Sequence, residues 1–420
     1  MLNAFARCSL NALALTTRRV AMVDGTGSFA ISPQQKRKSR MRIAIQRRNR
    51  QFGSISIPLK PSRLGSPDKI KRYQAMWKKP YSNWVNKWEH QLCFRSTDRV
   101  ERPFEWGLDS TATWPRIVEA NGHSPEADLA ALNRHIIANS DEFFGHQPPQ
   151  DFAVNGDLLT FTTPHPTPHG KNNTVHARIF PGRNPQGRAV VVLPHWNSHA
   201  AQHVGLCQGI AWFGPTVLRL SLPYHDDRMP PELTRADYAV SSNICRTIDA
   251  TRQAVVDTRA CFDWLERQGY DRLGIVGTSL GSCYAFLASA HDARIKVNVF
   301  NHCSSHFSDV VWTGLSTIHI KKTLAEHLDV DRLRSLWQCI SPVNYMAKYA
   351  AHDHKRQKFI YTEYDTTFLP YLSEEILACV RDHGIRHEVA KLPCGHYTMG
   401  ESPFKFMDGY QIISSLVRWL

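Results

Sequence analysis

The feature that most constrains this chain is the pentapeptide Gly277-Thr278-Ser279-Leu280-Gly281, set between an apolar strand-like run at 273–276 and a helix-like run at 282–290. A serine carried on a sharp turn between a strand and the helix that runs away beneath it is the mark of a nucleophile elbow. Glycines two before and two after the serine suit such a turn, because the two backbones approach too closely there for larger side chains. The five residues alone would be a weak match; the strand before and the helix after make it a strong one. The competing reading, a glycine-rich turn of a nucleotide-binding fold, finds no G-x-G-x-x-G or G-x-x-x-x-G-K-[ST] to support it.

A serine hydroxyl is a poor nucleophile near neutral pH, so it needs a general base, and the base needs an acid to hold its tautomer. In the elbow architecture these follow in the order Ser, Asp or Glu, His. A strand at 358–363 runs into Tyr364-Asp365, which puts Asp365 past the carboxyl end of a strand, where sites gather in open α/β sheets. Asp365 is the candidate acid, and Glu363 its competitor, read as lying within the strand. After the last strand, 387–392, comes Pro393-Cys394-Gly395-His396, followed by a helix over about 403–419. His396 is the candidate base; His383 and His387 fall at a helix end and a strand start, where surface or core roles are the plainer account. For the oxyanion, Leu280 supplies the N–H after the nucleophile. The second donor is expected after the strand at 189–194, from Trp196 or a neighbour within His195 to Asn197.

The rest of the chain alternates strand and helix signals from about residue 151, the pattern of an α/β sheet. Further strands are expected at 158–163, 174–180, 217–222, 272–277 and 295–301. The first two are joined by a Pro- and His-rich turn and should form an antiparallel hairpin at the sheet edge. Ile244, Ile248, Val255, Phe262 and Leu265 recur on one face of a helix over 244–267, which Gly269 ends. Residues 76–150 should form a small helical element, with a helix over 125–144. The stretch 303–357, with Trp312, His319 and Trp337, reads as a helical lid over the pocket. The segment Tyr224-His225-Asp226-Asp227-Arg228 reads equally as a substrate contact, through Tyr224 and His225, or as a charge-paired surface loop; His195 is a further candidate for lining the site. His195, His199 and His203 recur every four residues, a zinc-like spacing if helical, but no H-E-x-x-H accompanies them. No metal is expected.

With these residues assembled, the chain resembles the α/β-hydrolase superfamily over roughly 155–420. The segment from Asp263-Trp264-Leu265-Glu266-Arg267 to Gly281 is similar to that of abhydrolase-domain proteins and of dienelactone-hydrolase-like and acetyl-xylan-esterase-like enzymes. The resemblance implies a mostly parallel eight-stranded sheet with helices on both faces, an acyl-serine intermediate and no cofactor. The His195-Trp196-Asn197 segment departs from the HGGG form of many lipases.

Charge enters the argument by its location. The net charge of +14 would point to a nucleic-acid partner if it covered the fold. Residues 1–75 hold sixteen Lys and Arg against Asp24 and Asp68, and the remainder carries 35 of each sign. The body is formally neutral, so no nucleic acid is expected for it. The basic leader reads as a disordered or mis-started extension, an organellar targeting segment, or a binder of an anionic partner. Ten scattered cysteines with no C-x-x-C pair read as reduced thiols in a cytoplasmic setting, or an organellar one if the leader targets the chain. No run approaches the roughly 20 apolar residues of a membrane span. Three functions stay open: an esterase acting on a small-molecule ester or related acyl substrate, an amidase or peptidase with the same triad, and a non-catalytic binding protein that keeps the fold.

Overall fold

The structure is a computed structural model that describes residues 67–114 and 124–420. Most of the basic leader, residues 1–66, lies outside the described residues. The chain divides into two units, Met1–Ile70 and Lys71–Leu420; of the first, only the opening turn of a helix is described.

The sheet holds nine strands: β1 (Ala153–Asn155), β2 (Leu158–Thr162), β3 (Thr174–Phe180), β4 (Arg188–Leu193), β5 (Thr216–Leu220), β6 (Arg272–Thr278), β7 (Ile295–Asn301), β8 (Arg356–Thr362) and β9 (His387–Leu392). Their order is β1-β2-β3-β5-β4-β6-β7-β8-β9. The pairs β1/β2, β2/β3 and β3/β5 are antiparallel, and from β5 to β9 every pair is parallel. The expected eight strands are present. The ninth is β1, three exposed residues too short to leave a hydrophobic alternation in the sequence, and it displaces the predicted β2/β3 hairpin from the outermost position.

The helices are α1 (Pro67–Cys93), α2 (Pro125–Ala138), α3 (Ser140–Phe143), α4 (Val204–Trp212), α5 (Ile244–Arg267), α6 (Leu280–Ala290), α7 (Phe307–Thr313), α8 (Ile318–Leu324), α9 (Val330–Leu336), α10 (Met346–Ala350), α11 (Pro370–Asp382) and α12 (Phe404–Trp419). Among the described residues no helix is long and apolar enough to cross a membrane. The single helix expected over 125–144 is divided at Asn139, which leaves the helical region of backbone space.

Alternation along the central strands explains the layering. In β4, Ala189, Val191 and Leu193 face a core shared with α5 and α6, while Val190 and Val192 face a second core shared with α4 and α12. A strand apolar on both faces is what a parallel sheet covered by helices on both sides requires. Helix α5 departs from its one-faced periodicity and is buried almost all round. Its polar residues pay for this with bonds: Asp249 accepts from Trp114 Nε1 (2.8 Å) and approaches His165 Nε2 (2.7 Å), and Asp257 holds Arg228 Nη2 (2.8 Å). The nine cysteines among the described residues are all free thiols, eight of them buried.

Candidate active site

Strand β6 delivers Ser279 to the turn and α6 starts one residue later. The backbone at Ser279 is φ 55°, ψ −120°, a conformation side-chain-bearing residues rarely adopt. The flanking glycines are sterically obligatory: a Cβ on Gly277 would lie 2.3 Å from the Gly281 carbonyl oxygen, and one on Gly281 would lie 2.4 Å from the carbonyl oxygens of both Leu193 and Pro194. The Ser279 N–H is anchored on the Asn301 carbonyl at 2.7 Å.

The two other predicted residues converge on this serine. Ser279 Oγ stands 3.1 Å from His396 Nε2, and His396 Nδ1 stands 3.3 Å from Asp365 Oδ2. Asp365 follows β8 and is only 4% exposed. Its Oδ1 accepts the N–H groups of Thr367 (2.8 Å) and Phe368 (2.7 Å), and its Oδ2 the Thr362 hydroxyl (3.1 Å). The Phe368 ring lies parallel to the His396 imidazole, 8° between planes at 5.6 Å, and limits its tilt. Burial by itself would raise the Asp365 carboxyl, but the imidazoles of His396 and His302 overcome that and hold it well below the usual carboxylate range. His396 shows the reciprocal effect. Burial depresses it, and Asp365, with a smaller contribution from Glu89, leaves it above the ordinary histidine value of 6.5.

Two residues that the sequence reading passed over belong to this cluster. His302, fully buried at the end of β7 with φ 58°, places Nδ1 2.7 Å from Asp365 Oδ2, an ion-pair distance without the N–H alignment of a hydrogen bond. Burial keeps its imidazole below the ordinary histidine range. Its position past a strand's carboxyl end was the available signal. Glu89, also fully buried, comes from α1, and no local pattern marks it.

His302, Asp365 and His396 form the one grouping among the described residues whose donor atoms lie close enough together to hold an ion, within 4.8 Å of one another. Ligands around a tetrahedral zinc stand about 3.3 Å apart, given Zn–N and Zn–O bonds near 2.0–2.1 Å. The 2.7 Å between His302 and Asp365 is tighter than that and fits direct contact.

Elsewhere the structure sorts the remaining candidates. Glu363 lies one residue beyond β8 rather than inside it, and His383 and His387 turn their Nδ1 atoms to the carbonyls of Cys379 and Ile385, each at 2.8 Å. The 195–203 segment is not helical, since α4 begins only at Val204, so the four-residue histidine spacing does not build a shared ligand face. The Tyr224–Arg228 segment is mostly interior: Tyr224, His225 and Arg228 are at most 1% exposed, and Asp227 alone is turned to solvent. Asp257 neutralises Arg228 from inside and the Asn172 carbonyl accepts its Nε and Nη2, which is why this charge can be buried. His225 pairs Nδ1 with the Pro223 carbonyl (2.8 Å) and accepts the Asn197 N–H at Nε2 (2.9 Å), so both nitrogens serve the fold. Tyr224 packs edge-on against Tyr238. His195 is half-buried near His396, and loss of solvent pushes its imidazole down to about 4.

The fold assembled around these residues is that of the α/β-hydrolases. Residues 215–361 match the family model described as alpha/beta hydrolase domain containing 18, a span that includes Ser279 and His302 and stops before Asp365 and His396. No curated protein matches the sequence. Among solved structures, the acetyl xylan esterase from Paenibacillus sp. R4 is 14% identical with a TM-score of 0.50, covering 75% of this chain and 99% of that one. Acetyl Xylan Esterase 1 from Thermoanaerobacterium sp. JW/SL YS485 is 13% identical with a TM-score of 0.48, covering 75% of this chain and 99% of that one. The Pyrococcus horikoshii acylaminoacyl peptidase is 13% identical with a TM-score of 0.48 over 64% of this chain, which spans only 42% of that longer chain.

Proposed function

We propose that this protein is a serine hydrolase that cleaves an ester or related acyl bond in a small-molecule substrate through an acyl-serine intermediate. The observation that carries the reading is the continuous relay from Ser279 Oγ to His396 Nε2 (3.1 Å) and from His396 Nδ1 to Asp365 (3.3 Å). Both distances are somewhat long, as is common before substrate tightens such a site. In the proposed sequence His396 takes the Ser279 proton as Oγ attacks the acyl carbon, then returns it to the leaving oxygen. A water, deprotonated by the same imidazole, attacks the acyl-serine and releases the acid, restoring Ser279. Asp365 stays ionised throughout and stabilises the imidazolium.

The oxyanion donors in this reading are the backbone N–H groups of Leu280 and Trp196. Leu280 is the first residue of α6, where helical N–H groups have no partner within the helix. Asn197 is excluded because its N–H is given to His225. Trp196 is held in place by its indole N–H on the Ala236 carbonyl (2.9 Å) and by a parallel stack with His319 of α8 (2° at 6.1 Å). That stack supports assigning α7–α10 as a lid, and His195 as a side chain lining the site. An ester is the reading of choice because its leaving oxygen asks less of the general acid than an amine does.

Labelling of the full chain with a fluorophosphonate probe tests the proposal. The wild type should label and Ser279→Ala should not. Equal labelling of both, or of neither in folded protein, overturns it; a panel of esters and aminopeptide substrates then separates esterase from amidase.

A further inference from the structure

We infer that Glu89 of helix α1 is a positioning residue that ties the loop carrying the catalytic base to the loop carrying the acid. The inference rests on the triad proposed above. Glu89 is fully buried, and its carboxylate accepts three hydrogen bonds from two different loops. The Thr366 hydroxyl, next to Asp365, donates to Oε2 at 2.9 Å. The Tyr397 N–H, next to His396, donates to the same oxygen at 3.1 Å, and the Thr398 N–H donates to Oε1 at 2.7 Å. One carboxylate thus joins the neighbours of the acid to the neighbours of the base.

Sequence and packing are built around this contact. A Cβ on Gly395 would fall 2.3 Å from the Glu89 carboxyl carbon and 2.6 Å from Oε1, so a residue with a side chain there would expel the carboxylate. Helix α1 is held against the same region by the Tyr81 hydroxyl, which donates to the Pro393 carbonyl, and by Trp88 against Phe404. A buried carboxylate stripped of its donors is costly, so drift of either loop is opposed by the whole set of bonds. The hydroxyl-to-imidazole and imidazole-to-carboxylate distances both depend on how these two loops sit relative to each other, and small displacements at such a relay are expensive in rate.

Glu89 also contributes charge. The groups facing His396 are Asp365 from the β8 loop, His302 from the end of β7, His195 from the β4 loop and Glu89 from α1; of these, Asp365 and Glu89 favour the imidazolium. Removing the Glu89 charge therefore lets the imidazole lose its proton at lower pH.

The test uses the full chain with Glu89→Gln, Glu89→Ala and Gly395→Ala, and reads the second-order rate of fluorophosphonate labelling against pH together with amide exchange over residues 394–400. Glu89→Ala should label about 10- to 100-fold more slowly, the scale on which a misplaced general base costs rate. Exchange over 394–400 should rise at least about tenfold while α5 and β4 stay protected. Glu89→Gln, with its shape kept, should lose less rate but move the low-pH limb of labelling to lower pH. A purely structural residue would not move that limb. Gly395→Ala should reproduce the loss of rate and of protection with Glu89 still present. Wild-type rate, limb and exchange in the folded variants overturn the inference, and if Glu89→Ala does not fold, Glu89→Gln and Gly395→Ala decide it. Failure of the triad itself reads differently: Ser279→Ala would label like the wild type, while exchange at 394–400 would still report whether Glu89 holds the loop.

Discussion

The proposed triad is made of two halves held by different means. The nucleophile half, β6 to α6, is fixed by its own backbone: five consecutive residues set the strained φ of Ser279, and the obligatory glycines meet only main-chain atoms. The acid–base half is fixed by side chains reaching across the molecule. Its loops follow β8 and β9, and the carboxylate that joins them comes from residue 89. The first half should therefore fail all at once when its geometry is touched. The second should fail in graded steps.

Gly281→Ala is expected to have the largest effect. The new methyl would overlap the carbonyl oxygens of Leu193, the last residue of β4, and Pro194, just beyond it, which cannot move aside without disturbing the strand end. A destabilisation of about 1–3 kcal/mol is expected from such overpacking of backbone, with loss of labelling. Gly205→Ala in α4 is the control, since nothing lies within 4 Å of its added methyl. There the melting temperature should hold or rise, by up to about 1 kcal/mol in stability. Equal melting temperatures for the two variants would mean that backbone crowding does not fix the nucleophile half.

Asp365→Asn comes next and acts without unfolding. The amide can keep the shape but not the charge or the acceptor pattern, so kcat should fall by about 10³- to 10⁴-fold with little change in KM. The pH behaviour has two parts with opposite signs. In the proposed relay His396 must be neutral to take the serine proton and its folded value is raised, so the low-pH limb of kcat/KM should lie above 6.5. The stabilisation from the pair runs the other way. The raised His396 contributes fully below 6.5 and loses its contribution as pH climbs through the folded value; the lowered Asp365 contributes above 3.8 and loses its contribution as pH falls through its folded value. The melting-temperature gap between wild type and Asp365→Asn should thus be widest between pH 3.8 and 6.5 and narrow as pH rises through the folded value of His396.

The same contrast explains what the sequence disclosed. Gly277, Ser279 and Gly281 are legible because their constraint is local, and β4 is legible because burial on both faces of a sheet leaves a continuous apolar run. Asp365 and His396 are legible by chain order and by their places beyond strand ends. Glu89 is not, because an isolated glutamate in a helix rich in tryptophan and lysine has no spacing that distinguishes a buried clamp from a solvated face. The Tyr224–Arg228 segment stayed open between two readings for the converse reason: the Arg228 charge reads as surface until Asp257, 29 residues away, is seen to neutralise it.

His302→Asn should give the smallest effect and the sharpest one. Asparagine tolerates the left-handed backbone found at this position, so the loop after β7 can keep its course. His302 Nδ1 now crowds Asp365 Oδ2 at 2.7 Å while His396 Nδ1 stands off at 3.3 Å from the same oxygen. Withdrawing the nearer imidazole frees that oxygen to close on His396, which strengthens the imidazolium and moves the low-pH limb of labelling to higher pH. The expected change in rate at pH 8 is less than about tenfold, since the relay itself is intact. This displacement is opposite in sign to the one expected for Glu89→Gln, although both residues sit beside the same histidine and neither touches the serine. A limb that moves the same way in both variants would mean that His396 responds to general loosening of its loop and not to the separate contacts made by its two neighbours.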